Sequence, residues 1–212
     1  MPKPYTLVTA DKSVYHSDEW GVLHQIDAKP IAYDAAYLTQ HTSKPNYKEN
    51  SLILNGLRLG FLVGSMGYVP RMLLDYGYGD GSFAALAARI VPYVYGYDIG
   101  DYPIHSTCCR TKNPKTLHVE VVTYWDSLEH VPDLEVALDT PAKYVAVSVP
   151  CLPHVSVFED WKHRRPNEHL HHFTENSLKA WMACHGWVHR ASAPLEEAIR
   201  DDIITALFQR RD

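Results

Sequence analysis

No apolar run in this sequence approaches the roughly 20 residues that span a bilayer. The opening Met1-Pro-Lys-Pro-Tyr-Thr-Leu-Val lacks a signal-peptide core. A cytoplasmic protein with no membrane partner is therefore expected. Cysteine is scarce: Cys108, Cys109, Cys151 and Cys184 lack zinc-ligand spacing, which points to free thiols in a reducing compartment. Basic charge is not in excess. With 20 Lys and Arg against 25 Asp and Glu, the formal net charge is −5, which argues against a general nucleic-acid surface and leaves only a local patch open. Repeats, low-complexity tracts and linkers are also missing. What is present, 212 residues at 46% hydrophobic and 21% charged, suits one α/β domain with a sizeable core. That domain is expected over residues 48–212. Residues 1–47, rich in Tyr, His and Pro, are expected as a mostly irregular arm packed on it, with one short helix around Tyr33–Tyr37.

The chain is organised around residues 71–81, Arg71-Met-Leu-Leu-Asp75-Tyr-Gly77-Tyr-Gly79-Asp-Gly81. An apolar run ends in an aspartate, and a glycine follows at every second position. Phe83, Leu86, Ala87 and Ile90 then fall at helical spacing. The pattern is strand, tight turn, helix, a place where a ligand can lie against bare backbone. A dinucleotide fingerprint with Gly77 and Gly79 in place needs its third glycine at 82, where Ser82 stands. The spacing found here instead suits an amino-acid tail and a ribose, with Asp75 able to meet a cationic amino group. Tyr93-Val-Tyr-Gly-Tyr-Asp98 reads as the next strand, with an acid at its carboxyl end. In nucleoside-binding α/β sheets that acid accepts from ribose hydroxyls.

Leu74–Gly81 followed by Val94–Asp98 resembles the cofactor site of class I S-adenosylmethionine-dependent methyltransferases, near the ubiquinone-biosynthesis O-methyltransferase-like group. Later landmarks continue the resemblance: Trp125-Asp-Ser-Leu-Glu-His130, Ser148-Val-Pro150, Glu168-His-Leu-His-His-Phe-Thr174 and Asp201–Phe208. The fold it implies is a single Rossmann-like domain, mostly parallel, with an antiparallel C-terminal strand. Ile99 to Leu117 is too short for the usual helix, strand and helix, so the sheet is expected to be shortened at its third-strand edge. Asn50-Ser51 can cap a helix reaching about Gly64 that carries Arg58. An arginine there is ordinarily solvated, but the resemblance implies that it meets the cofactor's carboxylate. It places Asp75, Gly77, Gly79 and Asp98 on S-adenosylmethionine. Trp125 reads either as a ring packed on adenine or as an ordinary core aromatic.

Transfer from a sulfonium is an in-line displacement, so positioning supplies much of the acceleration. A hydroxyl acceptor also needs a base or a metal. Asp126-x-x-Glu129-His130 resembles a Glu-x-x-Glu-His segment that, with a histidine from beyond strand five, holds a divalent ion in some relatives. The corresponding set is Asp126, Glu129, His130 and His169, suited to Mg²⁺, Mn²⁺ or Zn²⁺. The other reading has Glu129 and His130 only tying the loop to its neighbours, with Asp126 or His130 as general base. The expected function is O-methylation of a small-molecule or sugar-like acceptor. The alternatives are a non-catalytic S-adenosylmethionine-binding protein and a metal-dependent RNA 2′-O-methyltransferase.

Overall fold

The computed structural model of the protein describes residues 3–211. Three short strands open it, β1 (Tyr5–Val8), β2 (Val14–Ser17) and β3 (Leu23–Gln25), then helices α1 (Ala35–Thr42) and α2 (Tyr47–Met66). The core runs β4 (Met72–Tyr76), α3 (Ser82–Ala87), β5 (Tyr93–Tyr97), β6 (Cys109–Arg110), β7 (Val119–Trp125), α4 (Leu134–Ala137) and β8 (Ala142–Pro150). It closes with β9 (His171–His172), α5 (Glu175–Cys184), β10 (Trp187–Ala193) and β11 (Ile203–Arg210).

Seven strands form one sheet in the order β10-β11-β8-β7-β4-β5-β6. Strand β4 pairs in parallel with β5 and β7, and β7 with β8, while β11 lies antiparallel between β8 and β10. Successive strand residues point to opposite faces. Leu74, Val122, Val145 and Phe208 accordingly pack with Trp181 of α5 on one side. Leu73, Val121, Ala146 and Leu207 pack with Leu62 of α2 and Phe83 of α3 on the other. Burial of both faces is why these strands read as unbroken apolar runs. The third-strand edge is shortened as expected, because β6 holds two residues and no helix separates it from β5. Thr174 caps α5 in a reciprocal pair with Ser177. Among the described residues no helix is long and apolar enough to cross a membrane.

The arm is more ordered than its composition suggests. Strands β1, β2 and β3 form an antiparallel meander, and β3 pairs with β9, giving a second, four-stranded sheet. Strands of three or four residues are too short to display a period of two, so only their turns carry a signal. Asp18 shows it: its carboxylate accepts from the backbone N–H groups of Trp20 and Val22, closing the turn between β2 and β3. Tyr15 and Leu23 bury against Leu152, Phe158 and Trp161, which fastens the sheet to the segment after β8. Helix α1 is capped by Asp34, whose side chain accepts from Tyr37 N–H at 2.9 Å. Helix α2 begins at Tyr47, ahead of the expected Asn50 cap, and its buried face is Asn55, Arg58 and Leu62.

Candidate active site

A cavity of about 990 Å³ opens at the carboxyl ends of β4, β5 and β7, roofed by the arm. Its floor is the glycine turn. Asp75 is 2% exposed, and its Oδ1 accepts from the Thr123 hydroxyl on β7 at 2.9 Å. Burial raises its pKa to about 7, against the lowering effect of Thr123 and Arg58. Past Asp75 the backbone swings into the left-handed region at Gly77, φ 78°. A side chain there would be strained, and its Cβ would lie 2.5 Å from the Ser127 Cβ. At Gly79, by contrast, no atom lies within 4 Å of where a Cβ would sit, so the backbone faces open cavity.

Asp98 follows β5 and ties the turn together. Its Oδ2 accepts from Gly79 N–H at 2.9 Å and its Oδ1 from Gly100 N–H at 2.8 Å. Burial pushes its pKa up, and the two amides pull against that. Tyr102 lies beside it, 5% exposed, with a hydroxyl that has no hydrogen-bond partner among the described residues. Gly77→Ala is expected to break this turn. Titration with S-adenosylhomocysteine should show affinity at least tenfold weaker, with about 1–2 kcal/mol of stability lost from the left-handed strain. Unchanged affinity would mean that the turn does not carry the ligand.

On the other side of β4, at the end of β7, lies an ion cluster with Arg58 and Glu196 buried and Asp126 and Arg200 half-buried. Arg58 is 6% exposed and stands over the Trp125 ring at 5.4 Å. Its Nε donates to Glu196 at 2.8 Å and its Nη2 to Asp126 at 2.6 Å. Arg200 repeats the arrangement, with Nε to Glu196 and Nη2 to both Asp126 oxygens. Among the described residues neither arginine's Nη1 has a partner. Burial alone would raise the Asp126 pKa, but Arg200 and then Arg58 hold it well below the usual range. Trp125 is packed edge-on against Phe83 at 5.2 Å, and its Nε1–H is buried without an acceptor. Because β4 separates β7 from β5, Trp125 and Asp98 flank the glycine turn from opposite sides.

The third corner is built from the turn after β7 and the segment leading into β9. Asp126 has φ 54° and precedes a 3₁₀ turn, Leu128–His130, so it does not share that turn with Glu129 and His130. The two arginines hold the Asp126 carboxylate, while Glu129, His130 and His169 converge with ligand atoms within 4.8 Å of one another. The four residues expected as one ligand set thus divide three and one.

Glu129 is 1% exposed, and among the described residues neither carboxylate oxygen has a hydrogen-bond partner. Burial, then the Asp126 charge, pushes its pKa well up. Desolvation lowers His130 to about 4 and His169 to about 3, leaving both rings neutral at pH 7. A buried orphan carboxylate beside two neutral imidazoles is a donor set that fits a divalent cation. The arm supplies Tyr33, whose hydroxyl lies 3.3 Å from His130 Nδ1, and Tyr37, which donates to Glu168 at 3.2 Å.

The family profile described as "Methyltransferase domain" matches residues 57–191. A curated relative, the ubiquinone biosynthesis O-methyltransferase of Shewanella sp. (strain ANA-3), is 32% identical over 99 residues, covering 38% of this chain and 42% of the relative. The chain thus spans about two fifths of that relative's length. Among solved structures, the fold is similar to 1,6-didemethyltoxoflavin-N1-methyltransferase of Burkholderia thailandensis, bound to 1,6-didemethyltoxoflavin and S-adenosylhomocysteine. The TM-score is 0.60 at 13% identity, covering 100% of both chains. It is also similar to magnesium protoporphyrin IX methyltransferase of Synechocystis PCC 6803, with TM-score 0.55 and 13% identity over 76% of this chain and 83% of that one. The N-methyltransferase NodS of Bradyrhizobium japonicum WM9 matches at TM-score 0.55 and 12% identity, over 84% and 98%. At these identities the likeness is one of fold.

Proposed function

This chain belongs to the methyltransferase-domain family of class I S-adenosylmethionine-dependent methyltransferases, and on that premise we propose that it methylates an oxygen of a small-molecule acceptor. The donor lies along the glycine turn. Asp98 accepts from the ribose hydroxyls, Gly77 and Gly79 present bare backbone to the amino-acid tail, and Asp75 faces its ammonium. Arg58 offers its unpartnered Nη1 to the carboxylate, beside Trp125. The sulfonium methyl then projects toward the corner of Glu129, His130 and His169, away from the β5 edge.

The observation that carries the choice of oxygen is the Glu129 carboxylate, buried and unpartnered at the acceptor end of the cavity. Sulfonium transfer to an amine already free of its proton needs no such group, whereas a hydroxyl must lose a proton as the carbon–oxygen bond forms. Glu129 and His130 are placed to take it. A divalent ion held by Glu129, His130 and His169, when bound, would lower the hydroxyl's pKa. Asp126, engaged by Arg58 and Arg200, orients the corner.

Labelled methyl transfer from S-adenosylmethionine across a panel of phenolic, sugar and amine acceptors tests the reading. Methylation on oxygen is expected, with Glu129→Gln lowering kcat by roughly 10²-fold while S-adenosylhomocysteine affinity holds. Methyl groups appearing only on nitrogen, or full activity in the variant, would contradict it.

A further inference from the structure

The two imidazoles of the acceptor corner can serve a metal ion only if the nitrogens that face Glu129 are free of protons. For His169 the structure decides this directly. Its Nδ1 lies 2.7 Å from the His163 carbonyl oxygen, and a carbonyl can only accept. Nδ1 therefore carries the proton and Nε2 keeps its lone pair.

Among the described residues no carbonyl lies at hydrogen-bond distance from the His130 ring, although the Glu168 backbone acts on it and raises its pKa against the desolvation. The ring's Nε2 lies 3.9 Å from Glu129 Oε1, and its Nδ1 meets the Tyr33 hydroxyl at 3.3 Å. A hydroxyl can donate or accept, so the direction of this contact distinguishes the two tautomers. If Tyr33 donates, His130 holds its proton on Nε2 and turns it toward Glu129, and the corner cannot close on a cation. If Tyr33 accepts, the His130 Nε2 lone pair is left facing Glu129, in the group that His169 completes.

We infer that Tyr33 is a positioning residue for this corner: its phenolic oxygen accepts a hydrogen bond from the Nδ1–H of His130 and so presents the Nε2 lone pair beside Glu129 and His169. The inference rests on reading the corner as a divalent-cation site. Tyr33 lies outside residues 57–191, on the arm that precedes α1. It is held there by edge packing on Tyr37 at 4.9 Å, and Tyr37 in turn is anchored to Glu168. Burial raises the Tyr33 pKa, so the hydroxyl remains neutral. The arm therefore does more than roof the cavity: it completes a ligand contributed by the turn after β7. Outer partners that fix a ligating histidine commonly account for 10- to 100-fold in metal affinity.

Two measurements on the full chain test this, with Tyr33→Phe keeping the ring and removing only the oxygen. Calorimetric titration with Mn²⁺ or Zn²⁺ at fixed pH should give one ion per wild-type chain and affinity 10- to 100-fold weaker in the variant. S-adenosylhomocysteine affinity and Tm should stay level. Long-range ¹⁵N–¹H spectra of the histidine rings should show His130 of the metal-free wild type as the Nδ1–H tautomer, a reading that a purely structural tyrosine would not move. Equal ion affinity in the variant, or His130 found as Nε2–H, overturns the inference. A wild type that binds no ion overturns it together with the cation site, while retained nucleoside binding leaves the methyltransferase assignment standing.

Discussion

Replacing Arg58 with methionine is expected to lower unfolding free energy by about 3–5 kcal/mol, the usual cost of stripping one partner from a buried ion pair. Glu196 has no exposed surface and Arg58 only 6%, so the orphaned carboxylate has no water to turn to. Arg200 remains beside it but already serves both Glu196 and Asp126. A methionine fills much of the volume and leaves packing on Trp125 largely in place, so the loss reports charge and not a cavity. The partner experiment removes both charges at once: Arg58→Met with Glu196→Gln should recover part of the loss, because two charges that need no desolvation cost less than one left alone. Urea denaturation of the three proteins measures this. A single-variant loss below about 1 kcal/mol would place the cluster among exposed pairs of little weight.

Acidification gives the second large effect. His130 and His171 are held near pKa 4 and His169 near 3, first by desolvation, and His172 lies well below the ordinary value for the same reason. These rings stay neutral in the fold, whereas an unfolded histidine takes up a proton below about pH 6.5. Between about 6.5 and 4 the unfolded chain binds more protons, so stability rises with pH across that window. On lowering the pH it is lost progressively, then levels once the folded rings also titrate. His171, 7% exposed and donating from Nε2 to the Val131 carbonyl, alone accounts for about 3 kcal/mol. The charges facing it are His24, Asp18 and Asp133, and they do not offset its desolvation. Asp75 and Glu129, whose folded pKa values burial raises, act in the opposite sense over the same range, so thermal melts from pH 8 to pH 4 should fall below about pH 6.5 by the excess of the four rings over those two carboxyls. Equal or greater stability at pH 5 than at pH 7.5 would contradict buried neutral rings.

Much of the glycine turn was legible because its geometry is local. Asp75, Gly77 and Gly79 lie within five residues, and the turn they make is forced by backbone geometry that only glycine adopts easily. Asp98 was legible as the end of the next apolar run. The shortened edge followed from counting residues between Asp98 and His118. The arm's three strands were not legible, because pairing between β3 and β9 joins residues almost 150 positions apart and short strands carry no period.

The ion cluster was hidden for the same reason. Glu196 and Arg200 sit in the turns between β10 and β11, and nothing local marks them as partners of Arg58, 138 residues away from Glu196. Asp126 was therefore grouped with Glu129 and His130 by resemblance to a Glu-x-x-Glu-His segment. Its left-handed backbone at φ 54° aims it elsewhere, a conformation that sequence spacing cannot reveal. Tyr33 was visible only as part of a short helical patch, and in fact precedes α1 and reaches His130.

The proposed activity requires one contact, a sulfonium nucleoside lying along residues 75–81 with its ribose on Asp98. Calorimetric titration of the purified chain with S-adenosylhomocysteine tests it most directly. One molecule bound per chain is expected, with the heat sharply reduced in Gly77→Ala. No heat from the folded wild type at millimolar ligand would contradict it.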